Sequence, residues 1–417
     1  MLISKNSILN YSILSFMIVL HGYIYAFAFG FVNYMWAQEL DVNIFRFLIL
    51  IIFSNIFLFI ISRFNAQFKA MYLVILLFIY IPIGVVSSSI IISFSYFLII
   101  SALLFISLMT VFPISQISLS NFYKIHVPIP RVFFLLAVVG TVGAIILNNL
   151  GSINTSITDT FLKIYQIRSE NQMTGFEAYS TRFIVSIAVP IMLWFYFRDN
   201  NYSVLFLAFF TCLMFFLIFA MKFQLYIFFL YLFIYFLISK GLSFFRIFIY
   251  FIMSAIIFSI PLNTLGFNFL DRFIYLPGLL NILYLDYFSN NDFMYFEHSK
   301  LEFVFGGSEY KETVGYIIDA EYFGNGGMNA NTGFIGSIFA QVGYFGIFIA
   351  FLILNFLTLC FVEIDKKMKY LGTFLLISFS FELINAPLTN LLLSNGFIMI
   401  LLIPVVFRGF HDNKKTA

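Results

Sequence analysis

The chain has 417 residues, of which 62% are hydrophobic and 10% charged, and its formal net charge is +3. Soluble domains carry roughly 25% charged residues and about 45–50% apolar ones, so this composition indicates a protein that has lipid as its solvent. The mean hydropathy of +1.01 agrees. Both cysteines lie inside apolar runs, which argues against a disulfide framework.

Apolar stretches long enough to cross roughly 30 Å of hydrocarbon predict an all-α integral membrane protein of about twelve transmembrane helices. These stretches lie at 8–32, 44–62, 70–90, 92–112, 132–150, 181–197, 202–220, 223–239, 244–262, 332–361, 370–386 and 391–407. The first stretch follows Lys5, as in a signal peptide. Because it exceeds a signal core of about 7–15 residues, we expect an uncleaved helix.

The predicted spans divide the chain into five regions. These are helices 1–5 at 1–150, a first long loop at 151–180, helices 6–9 at 181–262, a second long loop at 263–331, and helices 10–12 with a short tail at 332–417. The segments that share a side with both termini hold 14 of the 22 basic residues. The positive-inside rule therefore predicts cytoplasmic termini and two long loops on the outer side of the membrane.

The sequence favours chemistry at the outer face without a nucleotide or a metal. All predicted cytoplasmic loops are short, and the chain contains no GxxxxGK[ST] segment. Of its four histidines only His298 lies in a long outer loop, and no HxxH or CxxC spacing occurs. We therefore expect no cofactor.

The first outer loop carries two arginines, Arg168 and Arg182, the second at the start of a predicted span. The arginine fork matches phosphate oxygens, which predicts a phosphate-binding role. The alternative is structural: Arg182 reaches the membrane surface or pairs with Glu170 or Glu177.

The second outer loop, 263–331, contains Arg272, which precedes an aromatic segment, 273–288, that can form an amphipathic helix lying in the membrane interface. The loop ends in a run of small residues, after which Asn331 or Thr332 is expected to cap the next helix. That helix, 332–361, is longer than one span and contains Gly343 and Gly346, so we expect an interruption there. Glu382 lies near the outer end of a later span, where it is either functional or merely interfacial.

Several short motifs carry a resemblance to a known family. They are Ile-Arg at 167–168, Arg-Phe-x-Tyr-x-Pro-Gly at 272–278, Tyr-x-Asp-Tyr-Phe-Ser at 284–289, Gly-Met-Asn-Ala-Asn-Thr-Gly-Phe at 327–334, Gly-Tyr-Phe-Gly at 343–346 and Ser-Asn-Gly-Phe at 394–397. In this order they resemble the Wzy-type O-antigen or capsular polysaccharide repeat-unit polymerases of bacteria.

The resemblance implies an all-helical glycosyltransferase that uses lipid-linked sugars. Donor and acceptor would both be glycans on undecaprenyl pyrophosphate, and the acceptor's non-reducing hydroxyl would attack the donor's anomeric carbon. The expected partners are this glycolipid, membrane lipid, and a chain-length regulator and flippase of the same pathway, with no nucleic acid.

This reaction assigns candidate roles. Fixed cations stabilise a departing pyrophosphate, and a base near the acceptor hydroxyl assists its attack. The candidates for pyrophosphate or sugar binding are Arg168, Arg182, Arg272, Tyr275, Tyr287, Tyr322 and Asn331. The candidates for the base are His298, Glu297, Glu321 and Asp319.

Three alternatives remain open. An O-antigen ligase has nearly the same mechanism. A flippase or other transporter is expected to show two related halves with substrate groups at the midplane, and neither is visible. A membrane O-acyltransferase would depend on His21 in the first span.

Overall fold

Every secondary-structure element in the computed structural model is helical over the residues it describes. These are 43–89, 94–117, 130–154, 163–171, 173–240, 276–299, 310–324, 333–384 and 386–403, with residues 19, 119, 156, 157, 160, 301 and 302. The α-helices are α1 (Ile44–Ile61), α2 (Ala66–Ile75), α3 (Ile81–Ser89), α4 (Ser95–Ile114), α5 (Arg131–Asn148), α6 (Ile164–Glu170), α7 (Gly175–Phe183), α8 (Val189–Asp199), α9 (Tyr202–Phe219), α10 (Lys222–Ser239), α11 (Leu276–Asn290), α12 (Val314–Phe323), α13 (Phe334–Lys367), α14 (Leu371–Leu383) and α15 (Leu388–Leu393).

Seven helical stretches of this described part are long and apolar enough to cross a membrane. They are Ile44–Ile61, Ala66–Ser88, Ser95–Ile114, Arg131–Asn148, Gly175–Asp199, Tyr202–Phe219 and Phe334–Lys367. Each coincides with a predicted span, which confirms the transmembrane character. The predicted spans 223–239 and 370–386 correspond to two shorter apolar helices, and 8–32 and 244–262 lie outside the described residues.

The twelfth predicted span, 391–407, is not one helix over its described residues. The chain forms α15, a turn, and then a 3₁₀ helix at Phe397–Leu401. The break lies at Gly396, whose φ of +78° ends a right-handed helix. The Phe183 ring lies so close that a Cβ on Gly396 would be 2.4 Å from its Cδ2 atom.

Two membrane helices each contain a five-residue π-helical turn, at Leu76–Tyr80 and at Ile184–Ala188. Proline follows at the second position after each turn, as Pro82 and Pro190. Proline has no N–H to donate and its ring clashes with the carbonyl four residues earlier, which in both cases belongs to the π turn. The wider turn accommodates that carbonyl, so the helix continues through the proline.

The chain separates into two compact units. Unit 1 comprises Met1–Ile117, Ser243–Leu359 and Ser380–Asn390, and unit 2 comprises Ser118–Leu242, Cys360–Phe379 and Leu391–Ala417.

Helix α11 is a core element of unit 1. Residues 277–285 are all buried, and α11 packs on α3 so closely that a Cβ on Gly278 would be 2.7 Å from the backbone of Pro82. The side chain of Asn281, also buried, is fully used: it donates to the Pro277 carbonyl and accepts from the Gly336 N–H. The predicted interfacial position of 273–288 is therefore wrong for its described part, because a helix that is apolar on all sides is buried rather than laid on a surface.

A buried polar network ties α2, α4 and α13 together in unit 1. The Tyr72 hydroxyl donates to Asn355 Oδ1 (2.6 Å) and is also hydrogen-bonded to the Ser107 hydroxyl. The Asn355 amide donates to the Ser107 carbonyl (3.1 Å) and to Thr110 Oγ1 (2.9 Å). Because the members satisfy one another, this network is best explained as structural.

Candidate functional site

A cavity of about 190 Å³ lies in unit 1. Its wall comes from α11, from the segment after it, from the start of α12, from the first turns of α13 and from the start of α15. The lining residues are Tyr284, Glu297, His298, Ser299, Thr313, Val314, Gly315, Ser337, Ile338, Gln341, Pro387, Leu388, Thr389 and Asn390.

One wall depends on a break in α13. Val342 (φ −147°, ψ 20°) and Gly343 (φ 67°, ψ −155°) are non-helical, so α13 consists of a short first part and a long second part. This confirms the predicted interruption at Gly343, whereas Gly346 is helical. A helix that ends leaves its last carbonyls without intrahelical partners, and here Ala340 and Gln341 are in that position.

The segment after α11 supplies those partners. The N–H groups of Met294 and Tyr295 donate to the carbonyls of Ala340 (2.9 Å) and Gln341 (3.1 Å). The Phe296 N–H donates to Gln341 Oε1 (2.5 Å). Gln341 thus holds the segment both by its backbone and by its side chain, immediately before Glu297 and His298.

The held segment is strained. Tyr295, Phe296 and His298 have φ values of 43°, 68° and 54°. Positive φ is uncommon for side-chain-bearing residues, and such strain persists only where surrounding contacts enforce it. Three strained residues among four, of which His298 lines the cavity, mark this segment as a candidate functional element.

His298 has one ring nitrogen engaged and one available. Its Nε2 atom lies 2.9 Å from the Tyr310 carbonyl oxygen. A carbonyl only accepts, so Nε2 carries the proton and the neutral ring has its lone pair on Nδ1. An exposed imidazole oriented in this way is suited to accept a proton at Nδ1.

Glu297 is half-buried, and its Oε2 atom is buried without a hydrogen-bond partner among the residues that the structure describes. Leaving a buried charged acceptor unsatisfied is costly.

The other two candidate bases do not line the cavity. Asp319 is buried in α12, and Glu321 is exposed on the same helix. The pair predicted from the second outer loop, Glu297 and His298, is thus brought to one wall, while Asp319 and Glu321 lie elsewhere in unit 1.

The predicted tyrosines belong to a separate cluster of unit 1. The Tyr322 hydroxyl donates to Asp286 Oδ2 (2.7 Å), and the hydroxyls of Tyr287 and Tyr310 are hydrogen-bonded to each other. Burial, together with the neighbouring Tyr287 and Asp292, raises the pKa of Tyr310 to about 12. Burial and Asp286 likewise raise the pKa of Tyr322. Both phenols are neutral near pH 7 and act as hydrogen-bond donors.

The predicted phosphate-binding arginines Arg168 and Arg182 lie in unit 2, and both are exposed. Arg168 on α6 donates to the carbonyl of Ala220 (3.1 Å), the left-handed residue that ends α9. From the same region, Asn171 donates to the carbonyl of Ile218 (2.8 Å). Arg168 therefore also has a structural task, since it satisfies a carbonyl at a helix end. Arg272, Tyr275 and Asn331 lie outside the described residues.

Sequence reasoning missed six polar residues of the cavity wall: Ser299, Thr313, Ser337, Gln341, Thr389 and Asn390. Gln341 alone gave a usable signal, as an amide two residues before a helix-breaking glycine. The others resemble ordinary surface or helix residues. Among the described residues, no three His, Cys, Asp or Glu side chains come together as metal ligands.

Comparisons of the chain with protein-family models, with curated proteins and with solved structures find no match.

Proposed function

We propose that this chain is a Wzy-type polymerase, which joins oligosaccharide repeat units carried on undecaprenyl pyrophosphate at the outer face of a bacterial inner membrane. The observation that carries the proposal is the cavity, whose lining includes Glu297 and His298, with the hydrogen bond from His298 Nε2 to the Tyr310 carbonyl leaving the lone pair of the neutral ring on Nδ1. The choice of family in this proposal rests on the dispersed motifs described above.

The proposed step needs a base, a nucleophile and a stabilised leaving group. His298 Nδ1 accepts the proton of the acceptor hydroxyl, whose oxygen forms a bond to the donor's anomeric carbon. The bond from that carbon to the phosphate oxygen breaks, and its electron pair leaves with undecaprenyl pyrophosphate. Positioned general bases contribute about 10²–10⁴-fold to such steps.

The leaving pyrophosphate gains negative charge, which fixed cations stabilise in a water-poor site. The candidates for these cations remain the predicted Arg168, Arg182 and Arg272, of which Arg168 also donates to the Ala220 carbonyl. Glu297 holds a neighbouring hydroxyl of the acceptor sugar, because a carboxylate oxygen accepts the hydrogen bond that this second hydroxyl donates.

The glycolipid profile of a deletion strain tests the function. A strain without the polymerase should carry core with a single repeat unit, and the intact gene should restore long chains. Core that carries no repeat unit would instead indicate a ligase or flippase.

The orientation of the chain is tested separately. Because basic residues concentrate in alternate short loops, a phosphatase active only outside the cytoplasm should work when fused after Asn171 or Ser308. It should be silent after Lys124, Lys240 or Lys367. Activity at Lys367 would reverse the orientation and remove outer-face chemistry.

A further inference from the structure

We infer that the cavity is the acceptor subsite and takes one pyranose ring that is uncharged or carries an amino group, excluding uronic and other acidic sugars. The inference rests on the proposed function, which it deepens by naming the class of sugar at the attacking end.

The volume of the cavity limits the ligand to a single ring. The cavity measures about 190 Å³. Sites for larger ligands and cofactors occupy about 300–1,000 Å³. A hexose with its hydroxyl groups is comparable with this space, whereas a disaccharide or a pyrophosphate with its lipid is too large.

The lining suits hydroxyl groups. Ser337, Thr313 and Thr389 offer hydroxyls, and Gln341 and Asn390 offer amides. Pro387, Leu388 and Ile338 supply apolar surface against which the carbon face of a sugar ring packs. Apolar walls with a few convergent polar groups are typical of small-molecule sites.

The charges of the residues that line the cavity determine which class of sugar binds there. No arginine or lysine is among the described residues that line the cavity, so a phosphate or a carboxylate meets none of the cations that usually bind it. Glu297 is part of the lining, and its carboxylate repels any such anion by its like charge. A sugar hydroxyl carries no such charge, and an ammonium group is attracted to the carboxylate.

The test measures binding of small glycosides to the purified full-length protein in lipid nanodiscs. The panel pairs methyl glucoside with methyl glucuronide and methyl galactoside with methyl galacturonide, together with glucosamine, and saturation-transfer NMR detects each. At least one neutral glycoside should bind, and its uronic counterpart should bind about tenfold more weakly because of the like charge. Lipid-linked repeat unit should displace the bound glycoside, whereas undecaprenyl pyrophosphate alone should not.

Two variants test whether Glu297 causes the preference for neutral over acidic sugars. Glu297→Gln keeps the shape but removes the charge, so the neutral and acidic members of each pair should bind within about twofold of each other. Glu312→Gln is the matched control, because this exposed carboxylate is next to Thr313 but does not line the cavity, and it should preserve the tenfold preference. If Glu297→Gln does not fold, the wild-type panel and the displacement arm decide alone.

Failure of the inference differs from failure of the proposed function. Equal binding of neutral and acidic sugars, a preference that survives Glu297→Gln, or no binding to protein that polymerises repeat units would overturn the acceptor subsite and leave the polymerase intact. Selective binding of neutral glycosides by protein that cannot polymerise repeat units would retain the sugar site and overturn the polymerase.

Discussion

Two carboxylates, one in each unit, show how the same side chain serves two purposes. Glu177 in the first turn of α7 is buried, and both of its oxygens are used. Oε1 accepts from the Asn149 amide (2.7 Å), and Oε2 accepts from the Thr174 N–H (2.9 Å) and hydroxyl (3.0 Å). Thr174 in turn caps α7, which completes a capping box.

Glu297 differs in each of these respects. It lies in a strained segment between helices, and its buried Oε2 atom has no partner in the described part of the chain. A satisfied carboxylate stabilises the fold, whereas an unsatisfied one is tolerated where a ligand completes it. The comparison teaches that burial alone does not mark a functional acid: Glu177 is buried with both oxygens hydrogen-bonded, whereas the proposed site residue Glu297 keeps one oxygen unsatisfied among the described residues.

The largest expected effect tests the proposed role of the segment that contains Glu297 and His298. His298→Gln removes the base next to Glu297 while keeping a side chain that donates to the Tyr310 carbonyl. The polymerisation rate of purified protein on lipid-linked repeat units should fall about 10²–10⁴-fold. Glu312→Gln serves as the control for expression and assay. A His298→Gln rate within a few-fold of wild type would take His298 out of the chemistry.

A smaller expected effect tests the break in α13 at Gly343, because the carbonyls before this break bind the segment that contains Glu297. Gly343 has φ 67° and ψ −155°, a region that is essentially restricted to glycine, and a Cβ there would be 2.8 Å from the Phe293 ring. Gly343→Ala should therefore lower the free energy of unfolding in mixed micelles by about 1–3 kcal/mol.

Gly140→Ala is the matched control for that substitution. Gly140 lies inside α5 with nothing within 4 Å of an added Cβ, so alanine should raise stability by roughly 0.5–1 kcal/mol. Equal stability of Gly343→Ala and wild type would show that the break in α13 is not required.

The smallest expected effect tests the structural role of Glu177 in the capping box of α7. Thr174→Ala removes the cap of α7 and one donor to Glu177, and should lower the free energy of unfolding by about 1 kcal/mol. Thr174→Ser retains the hydroxyl and should recover most of that loss. Polymerisation per folded molecule should remain near wild type, and a loss comparable with that of His298→Gln would contradict the purely structural assignment.

The sequence predicted some features well because they depend on local patterns. Hydropathy located the described membrane helices, since a lipid solvent demands long apolar helices whatever their neighbours. A glycine within an overlong apolar stretch predicted the break at Gly343. Glu297 and His298 were identified by their residue types within an outer loop, although nothing in the sequence distinguished them from Asp319 and Glu321.

Only the tertiary structure decided the rest, because it depends on contacts between distant residues. The burial of α11 follows from its fit against α3, and the division of the last predicted span follows from the packing of Gly396 against Phe183. The cavity unites residues from Tyr284 to Asn390, and Gln341 orients its strained wall through the Phe296 N–H. Sequence determined which segments are apolar; packing determined which carboxylate is satisfied, because hydrogen-bond partners are set by proximity in space.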